Sequence, residues 1–331
     1  MTLRSLSIGG ATYDLFLSMN PRIEESACDG KKIIFDLGKK IPIERIVESC
    51  GGGASNTSVG LSRLGVQAAF CGIVGADQWG EKLLKNMQKE GVDTKPATIV
   101  EHETSSFSLV LLLSTGERTI LYNSGVNEHL QDATFDTGFA TDADLIYLNH
   151  LCERSCMIED DLLSALRKKK EAFLAWNPGG SQLEDGMQSL HIQHLLAHTN
   201  FLVLNKEEAM RFTKTRDTKE AMMKLKTTGV THLCITDGPH GSFGCNRQGA
   251  WFCPPLDNVR VVDATGAGDA FGTAAAWALA TGQNLPNALI AGTLNASSVV
   301  EMMGAQTGLL SYTEIQSKLR TTRLTTTPLD W

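Results

Sequence analysis

The sequence predicts an α/β fold in which a mainly parallel sheet is covered on both faces by helices and a smaller sheet projects from it. Three observations carry this expectation. Short apolar runs alternate with amphipathic segments along most of the chain, the pattern of strand–helix–strand units. Those runs are continuously apolar and end at Gly or Asn, as strands buried on both faces do. Two stretches, residues 15–48 and 101–124, break the alternation with strand-like runs that no helix separates.

Taken in order, the expected strands are LSIGG from Leu6, AAFCGIV (68–74), DLIYLN (144–149), AFLAWN (172–177), FLVLN (201–205) and HLCITDG (232–238). Helical patterns lie between them over 54–64, 80–90, 160–170 and 206–212. In the second irregular stretch, Thr115-Gly116 predicts a turn between two strands, a hairpin. The run Val261 to Asp263 reads as a short strand, followed by a tight turn and a helix through Ala280. The Thr-rich residues 318–331, with Pro328, read as a loosely held tail. With about 150 residues per domain as a guide, and no repeat, long linker or low-complexity tract, a single domain over 1–331 is expected. Its small sheet would be a subdomain assembled from 15–48 and 101–124.

Thirty basic against 37 acidic residues give a net charge of −7, which argues against a protein that coats nucleic acid or an anionic membrane. An aromatic content of 6% argues against a stacking platform for single strands. The amino-terminal residues lack the apolar core of a signal peptide, and the longest apolar stretch, Phe271 to Gly282, is too short for a bilayer. Eight cysteines (Cys28, Cys50, Cys71, Cys152, Cys156, Cys234, Cys245, Cys253) form no CxxC pair. Cys152 and Cys156 can share a helix face, but no second ligand pair accompanies them. Reduced thiols in a cytoplasmic protein are expected.

The most informative stretch is VVDATGAGDAFG, Val261 to Gly272. Gly266, Ala267 and Gly268 leave backbone N–H groups bare at a helix N-terminus, where the dipole favours an anion. Asp269 falls in that first turn, where a carboxylate can accept a proton from a hydroxyl attacking a phosphoryl group. The same residues also fit a plain turn with Asp269 capping the helix. A second cluster, CGGGASNTSVG from Cys50, opens another helix; Gly51, Gly52 and Gly53 permit close backbone approach, and Asn56 suits vicinal hydroxyls or, equally, a helix cap. GIVGADQWG (72–80) is a further turn-rich strand exit.

Several familiar chemistries are missing. There is no GxxxxGK[ST], no GxSxG and no HExxH, and neither GGGASN nor GAGDAF has the third glycine of GxGxxG. His191, His194 and His198 recur at helical spacing without an interleaved carboxylate, as a partly exposed helix face would.

The set GGxxxN (Gly51, Gly52, Asn56), GIVGADQWG, NKEE (205–208), TDGPHG (236–241) and DATGAGDAFG (263–272) resembles the ribokinase-like, or pfkB, carbohydrate kinase family, in that family's order and over most of the chain. The resemblance implies a three-layer α/β/α sandwich with a β-sheet lid formed by the two irregular stretches. It implies that Asp269 is the base and that the N–H groups of Gly266, Ala267 and Gly268 stabilise the transferring phosphoryl. It puts Asn205 and Glu208 near the phosphates, with Mg²⁺ ordered through water. Thr236, Gly238 and Gly241 would run along the ATP, with Thr293 and Asn295 at the adenine. A monovalent cation, K⁺, would lie at Asp263, Thr265 and the loop near Val299, Met302 and Gly304. Asp14, with Gly52, Gly53 and Asn56, would grip the acceptor, and paired lids would make a homodimer.

Departures from the family bear on the acceptor. Gly53 replaces the lysine of the ribokinase GGKGAN, and Thr12 replaces the asparagine two residues before the sugar-binding aspartate, so ribose is not the expected substrate. A phosphosugar acceptor would need a basic cluster, for which Arg118, Lys39 and Lys40 are the candidates. A nucleoside acceptor would need a roomy, partly aromatic lid, for which Phe35, Phe107 and Tyr122 could serve. The expectation is an ATP-dependent sugar kinase, with an adenosine-type nucleoside kinase and a non-catalytic ligand sensor as alternatives.

Overall fold

The computed structural model describes residues 2–26, 30–113, 118–132, 137–151 and 156–330. The expected Thr115-Gly116 turn, Cys28 and Cys152 lie outside them. Among the described residues nine strands form one sheet, in the order Thr327–Leu329, Gly249–Cys253, Ser242–Asn246, His232–Thr236, Phe201–Asn205, Phe173–Trp176, Leu145–Leu148, Arg4–Ile8, Gln67–Cys71. The six from His232–Thr236 to Gln67–Cys71 are parallel, and the other three add on antiparallel.

Successive side chains of these strands feed two cores, because neighbours along a strand point to opposite faces. Leu145, Tyr147, Phe201 and Val203 enter one core, with Val59, Leu83, Ala274, Leu289 and Ile315 from the helices Gly53–Arg63, Gln78–Lys89, Ala267–Ala280, Leu285–Val300 and Tyr312–Thr321. Ile146, Leu148, Leu202 and Leu204 enter the other, with Leu162, Leu195, Phe212 and Met222 from the helices Cys156–Lys168, Leu190–His198, Lys206–Thr213 and Thr218–Lys226. Doubly buried strands explain the continuous apolar runs, and the result is a three-layer α/β/α sandwich. No helix among the described residues is long and apolar enough to cross a membrane.

The two irregular stretches supply a second sheet, in the order Arg118–Asn123, Phe107–Leu113, Thr12–Met19, Arg45–Gly51, with a two-stranded ribbon of Arg22–Ser26 and Gly30–Ile34 beside it. Its roots, Thr12 and Gly51, are the ends nearest the main body, so any motif there sits between the two sheets.

Two expectations are corrected. Val261 to Asp263 is not a strand: both valines are exposed, and its backbone bonds are Val262 and Asp263 N–H groups donating to Val300 O at 2.7 and 3.2 Å, not a ladder. β-branched composition suggested a strand where no neighbouring strand offers a ladder. The tail is not loose either. A capping box of Ser311 and Glu314 starts the helix Tyr312–Thr321, and Ile315 is buried. Thr327–Leu329 then pairs with Gly249–Cys253 as an edge strand, the place where a sheet tolerates a proline such as Pro328. His191, His194 and His198 do lie on the half-buried to exposed side of their helix.

Candidate active site

The strands Arg4–Ile8, Leu145–Leu148, Phe201–Asn205 and His232–Thr236 all end toward one side, and their carboxyl ends carry Gly9, Asn149, Asn205 and Thr236. In an open parallel sheet that edge is where a ligand crevice forms.

Two glycine-rich helix starts meet there. Gly52 caps the helix Gly53–Arg63 with φ 89°, and a Cβ on it would lie 2.6 Å from Ala11 Cα and 2.7 Å from both Gly10 O and Thr12 N. Gly266 caps the helix Ala267–Ala280 with φ 77°, and its Cβ would fall 2.4 Å from Ala305 Cβ. Only glycine serves at either point. The two helices pack closely enough that a Cβ on Gly60 would lie 2.8 Å from Thr273 Cγ2.

This packing brings Asn56 to Asp269. Asn56 Nδ2 donates to Asp269 Oδ2 at 2.8 Å. The orientation of the Asn56 amide is fixed by Gln306, whose Nε2 donates to Asn56 Oδ1 at 3.1 Å and to Ser55 Oγ at 3.0 Å, while Gln306 Oε1 accepts from Asn86 Nδ2 at 2.8 Å. Burial pushes the Asp269 carboxyl above the usual carboxylate range, and the Asn56 amide partly offsets this. At the helix start, Gly268 is exposed and a Cβ there would meet nothing within 4 Å, so its backbone is open to an approaching anion. The Ala267 N–H makes a long turn contact to Ala264 O at 3.3 Å.

On the small sheet, Asp14 is buried and accepts a hydrogen bond from the Ser108 hydroxyl. Burial pushes its pKa up to about 6 despite that donor, and the charge of Asp263 adds to the rise. A Cβ on Gly51 would stand 2.4 Å from Asp14 Oδ2, so Gly51 makes the room the carboxylate occupies. Gly53 abuts Asn149, whose Oδ1 lies 3.1 Å from where its Cβ would be. Asn149 and Asn127 were missed by sequence reasoning. Each anchors its Nδ2 in the fold, on Ile8 O and Thr57 Oγ1 (both 3.1 Å) or on Ala11 O (3.2 Å), and each leaves a buried Oδ1 with no donor among the described residues. The signal for Asn149 was present, since DLIYLN ends in a polar residue at a parallel strand's carboxyl end.

The NKEE motif is a capping box. Asn205 Oδ1 accepts from Glu208 N at 2.8 Å and Glu208 Oε2 accepts from Asn205 N at 2.9 Å, which starts the helix Lys206–Thr213. Burial raises the Glu208 carboxyl, and the charge of Asp269 raises it further. Among the described residues no cluster of three or more acidic, His or Cys ligands forms. Thr236 ends its strand, and Gly238 (φ 50°) and Gly241 (φ 96°) shape the turn after it, closed by Asp237 N–H on Gly241 O at 2.8 Å. Lys206 Nζ pairs with Asp237 at 2.9 Å. Thr293 and Asn295 both lie in Leu285–Val300 and are buried. Asn295 joins Ala270 O and Leu310 N–H (2.8 and 2.9 Å) and so ties its helix to the next, while Thr293 donates to Leu289 O within its own helix.

Asp263 gathers four donors. Thr265 N–H (3.0 Å), the Thr265 hydroxyl (2.7 Å) and Arg118 Nη1 (2.5 Å) reach Oδ1, and Gly304 N–H (3.0 Å) reaches Oδ2. Gly304 also abuts the small sheet, its Cβ position lying 2.4 Å from Ser49 Oγ. Val299 O accepts from Met302 N–H at 3.0 Å.

Comparison with known proteins agrees with this architecture. The chain is 28% identical over 254 residues to an uncharacterized sugar kinase of Archaeoglobus fulgidus, covering 76% of this chain and 98% of the relative. It is 24% identical over 318 residues to a nucleoside kinase of Methanocaldococcus jannaschii, covering 92% and 100%. The solved structure of Arabidopsis thaliana ribokinase complexed with ribose and ATP shares the fold with a TM-score of 0.78 at 22% identity, covering 97% of this chain and all of that one. The model of the pfkB family carbohydrate kinases matches residues 29–311, from the lid ribbon to the loop beyond Gln306, and the chain belongs to that family.

Proposed function

We propose that this protein transfers the γ-phosphoryl group of ATP to a hydroxyl of an uncharged sugar or sugar-like acceptor, with Asp269 as the base. The observation that carries the reading is the 2.8 Å hydrogen bond from Asn56 to Asp269, which joins the helix start suited to an acceptor to the one suited to a phosphoryl group. Asp14, Gly52, Gly53 and Asn56 hold the acceptor, with the second Nδ2 hydrogen of Asn56 free of Asp269. Asp269 takes the hydroxyl proton as the oxygen attacks phosphorus and ADP leaves. Burial makes this carboxylate a stronger base than an exposed one. The N–H groups of Gly266, Ala267 and Gly268 meet the developing charge. Glu208 and Asn205 would hold Mg²⁺ through water, and the ion would supply positive charge against the phosphates. Thr236, Gly238 and Gly241 run along the nucleotide, and the lid excludes water from the reacting groups.

An uncharged acceptor is favoured because two of the three basic residues a phosphosugar would need are already engaged. Arg118 is on Asp263 and Lys39 is on Asp36 at 3.0 Å. A nucleoside acceptor is the second reading, supported by Tyr122, which is exposed and paired across the lid with Ser108 beside Asp14. Phe107 does not add to that support, since its ring lies 6.5 Å from Trp79 on the other side of the lid.

The test is ADP release from Mg-ATP over a panel of sugars, sugar phosphates and nucleosides, with Asp269→Asn alongside. Turnover of a neutral sugar that falls by roughly 10²- to 10⁴-fold in the variant is expected. Unchanged turnover in Asp269→Asn would remove the base assignment, and turnover confined to nucleosides would select the second reading. Ligand binding that is indifferent to Asp269→Asn, with no turnover at all, would point to a sensor.

A further inference from the structure

Arg118 belongs to the lid strand Arg118–Asn123, on the same sheet face as Ser108 and Asp14, yet its guanidinium leaves the lid and reaches the loop before the helix Ala267–Ala280. Its Nη1 donates to Asp263 Oδ1 at 2.5 Å and to Thr265 Oγ1 at 3.2 Å. Asp263 is 3% exposed, so its charge must be neutralised by something held against it. We propose that Arg118 is the resident counter-charge of Asp263, and that the loop leading into the phosphoryl-binding helix start therefore needs no monovalent cation in this chain.

The donor count supports this. A carboxylate offers about four lone-pair positions. Asp263 receives Thr265 N–H, Thr265 O–H and Arg118 at Oδ1, which they saturate, and Gly304 N–H at Oδ2. The backbone groups that would complete a cation shell face the wrong way or are engaged. Gly304 turns its N–H, not its carbonyl, to Asp263, and the Val299 carbonyl takes Met302 N–H. A cation bound at Oδ1 would have to displace one of its three donors, and the guanidinium already supplies the charge such a cation would bring.

The position matters for the reaction. Through Thr265 and Gly304, Asp263 ties the turn 263–266 to the loop in which Ala305 packs against Gly266. That packing sets where the N–H groups of Ala267 and Gly268 point. Arg118 is thus a positioning residue acting through Asp263, and it delivers its charge only when the lid is down on the body.

The inference rests on the kinase reading for its turnover readout and is independent of it for a thermal one. Wild type and Arg118→Ala are compared in KCl and in choline chloride of equal ionic strength, by thermal denaturation and by turnover of whichever acceptor the panel yields. Wild type should melt at the same temperature in both salts, with rates differing by less than about twofold. Arg118→Ala should melt lower in choline chloride and recover in KCl, and its turnover should fall by roughly tenfold or more without K⁺ and return with it. A wild-type protein that KCl stabilises over choline chloride would overturn the proposal, and so would an Arg118→Ala protein indifferent to K⁺. Should that variant not fold, Arg118→Gln takes its place, and the wild-type comparison decides in either case. If no acceptor is turned over, the kinase reading is in question while the melting comparison still stands.

Discussion

A carboxylate taken out of water costs stability unless its charge is matched, and Asp14 shows both the cost and its use. Burial and the neighbouring Asp263 charge raise its pKa from 3.8 to about 6. Since the folded value lies above the unfolded one, protonated Asp14 contributes stability in full below about pH 3.8, and that contribution is lost as the pH rises through 6. At neutral pH the ionised group is a liability, which the proposed grip on acceptor hydroxyls would explain. Asp14→Asn should therefore raise the melting temperature at pH 7.5, by at most on the order of 3 kcal/mol in stability. The gain should shrink steadily toward pH 4, and acceptor binding should be lost at every pH. In the wild type, KM for the acceptor should climb as the pH falls through 6. An Asp14→Asn protein less stable than wild type at pH 7.5 would show that the amide cannot replace the carboxylate against Ser108, and that the charge is not the destabilising feature. Asn56 and Asp269 stood out in the sequence because each sits at a fixed offset from glycines that the backbone requires, whereas Asp14 was marked by the family resemblance alone. The partners were not legible, because Gln306 lies 250 residues from Asn56 and Arg118 145 residues from Asp263, and each pair meets only through packing.

At the scale of elements, the helix starts do the positioning, and they depend on glycine to different degrees. Gly52 has φ 89°, and everything near its missing Cβ is backbone: Ala11 Cα, Gly10 O and Thr12 N. None of these can move without pulling the lid root away from the strand Arg4–Ile8. Gly52→Ala should cost about 2–4 kcal/mol, from left-handed backbone strain and overpacking together. In whatever protein remains folded, displacement of Asn56 should raise KM for the acceptor. Gly268→Ala is the contrast, because its φ is negative and nothing lies within 4 Å of its Cβ position. Its melting temperature should match wild type, and equal losses for the two variants in a thermal-denaturation assay would refute the steric argument. The strands of the central sheet were readable because doubly buried strands write continuous apolar runs. The same rule misread Val261 and Val262, which are apolar and β-branched but face solvent, and it misread the carboxyl terminus, where polar Thr327 and Pro328 pair as an edge strand. Composition reports burial, and an edge strand or an exposed connector has little of it.

Over the whole molecule, one surface lacks a partner that its chemistry calls for. Register places Leu15, Leu17, Ile46, Leu109, Leu111 and Leu121 on the lid face opposite Asp14 and Ser108. Ile46 is 58% exposed and Leu121 52%, and Leu37 in the neighbouring segment is fully exposed. An aliphatic sheet face of this kind is usually covered, and the occupant it fits is the same face of a second copy, since a two-fold pairing makes the patch self-complementary. Dimerisation would also hold the lid in one orientation, and so steady Arg118 over Asp263 in both protomers. Light scattering on the purified protein at micromolar concentration should give about twice the chain mass of 35.8 kDa. Ile46→Lys combined with Leu121→Lys should give the monomer with little change in intrinsic fold stability, because both side chains are largely exposed within one copy. With the sites as proposed, ATP on the body and acceptor under the lid, the monomer should keep ATP affinity and lose acceptor affinity. A wild-type particle of single-chain mass, or a double variant that stays dimeric, would show that this face is covered by something other than a second copy.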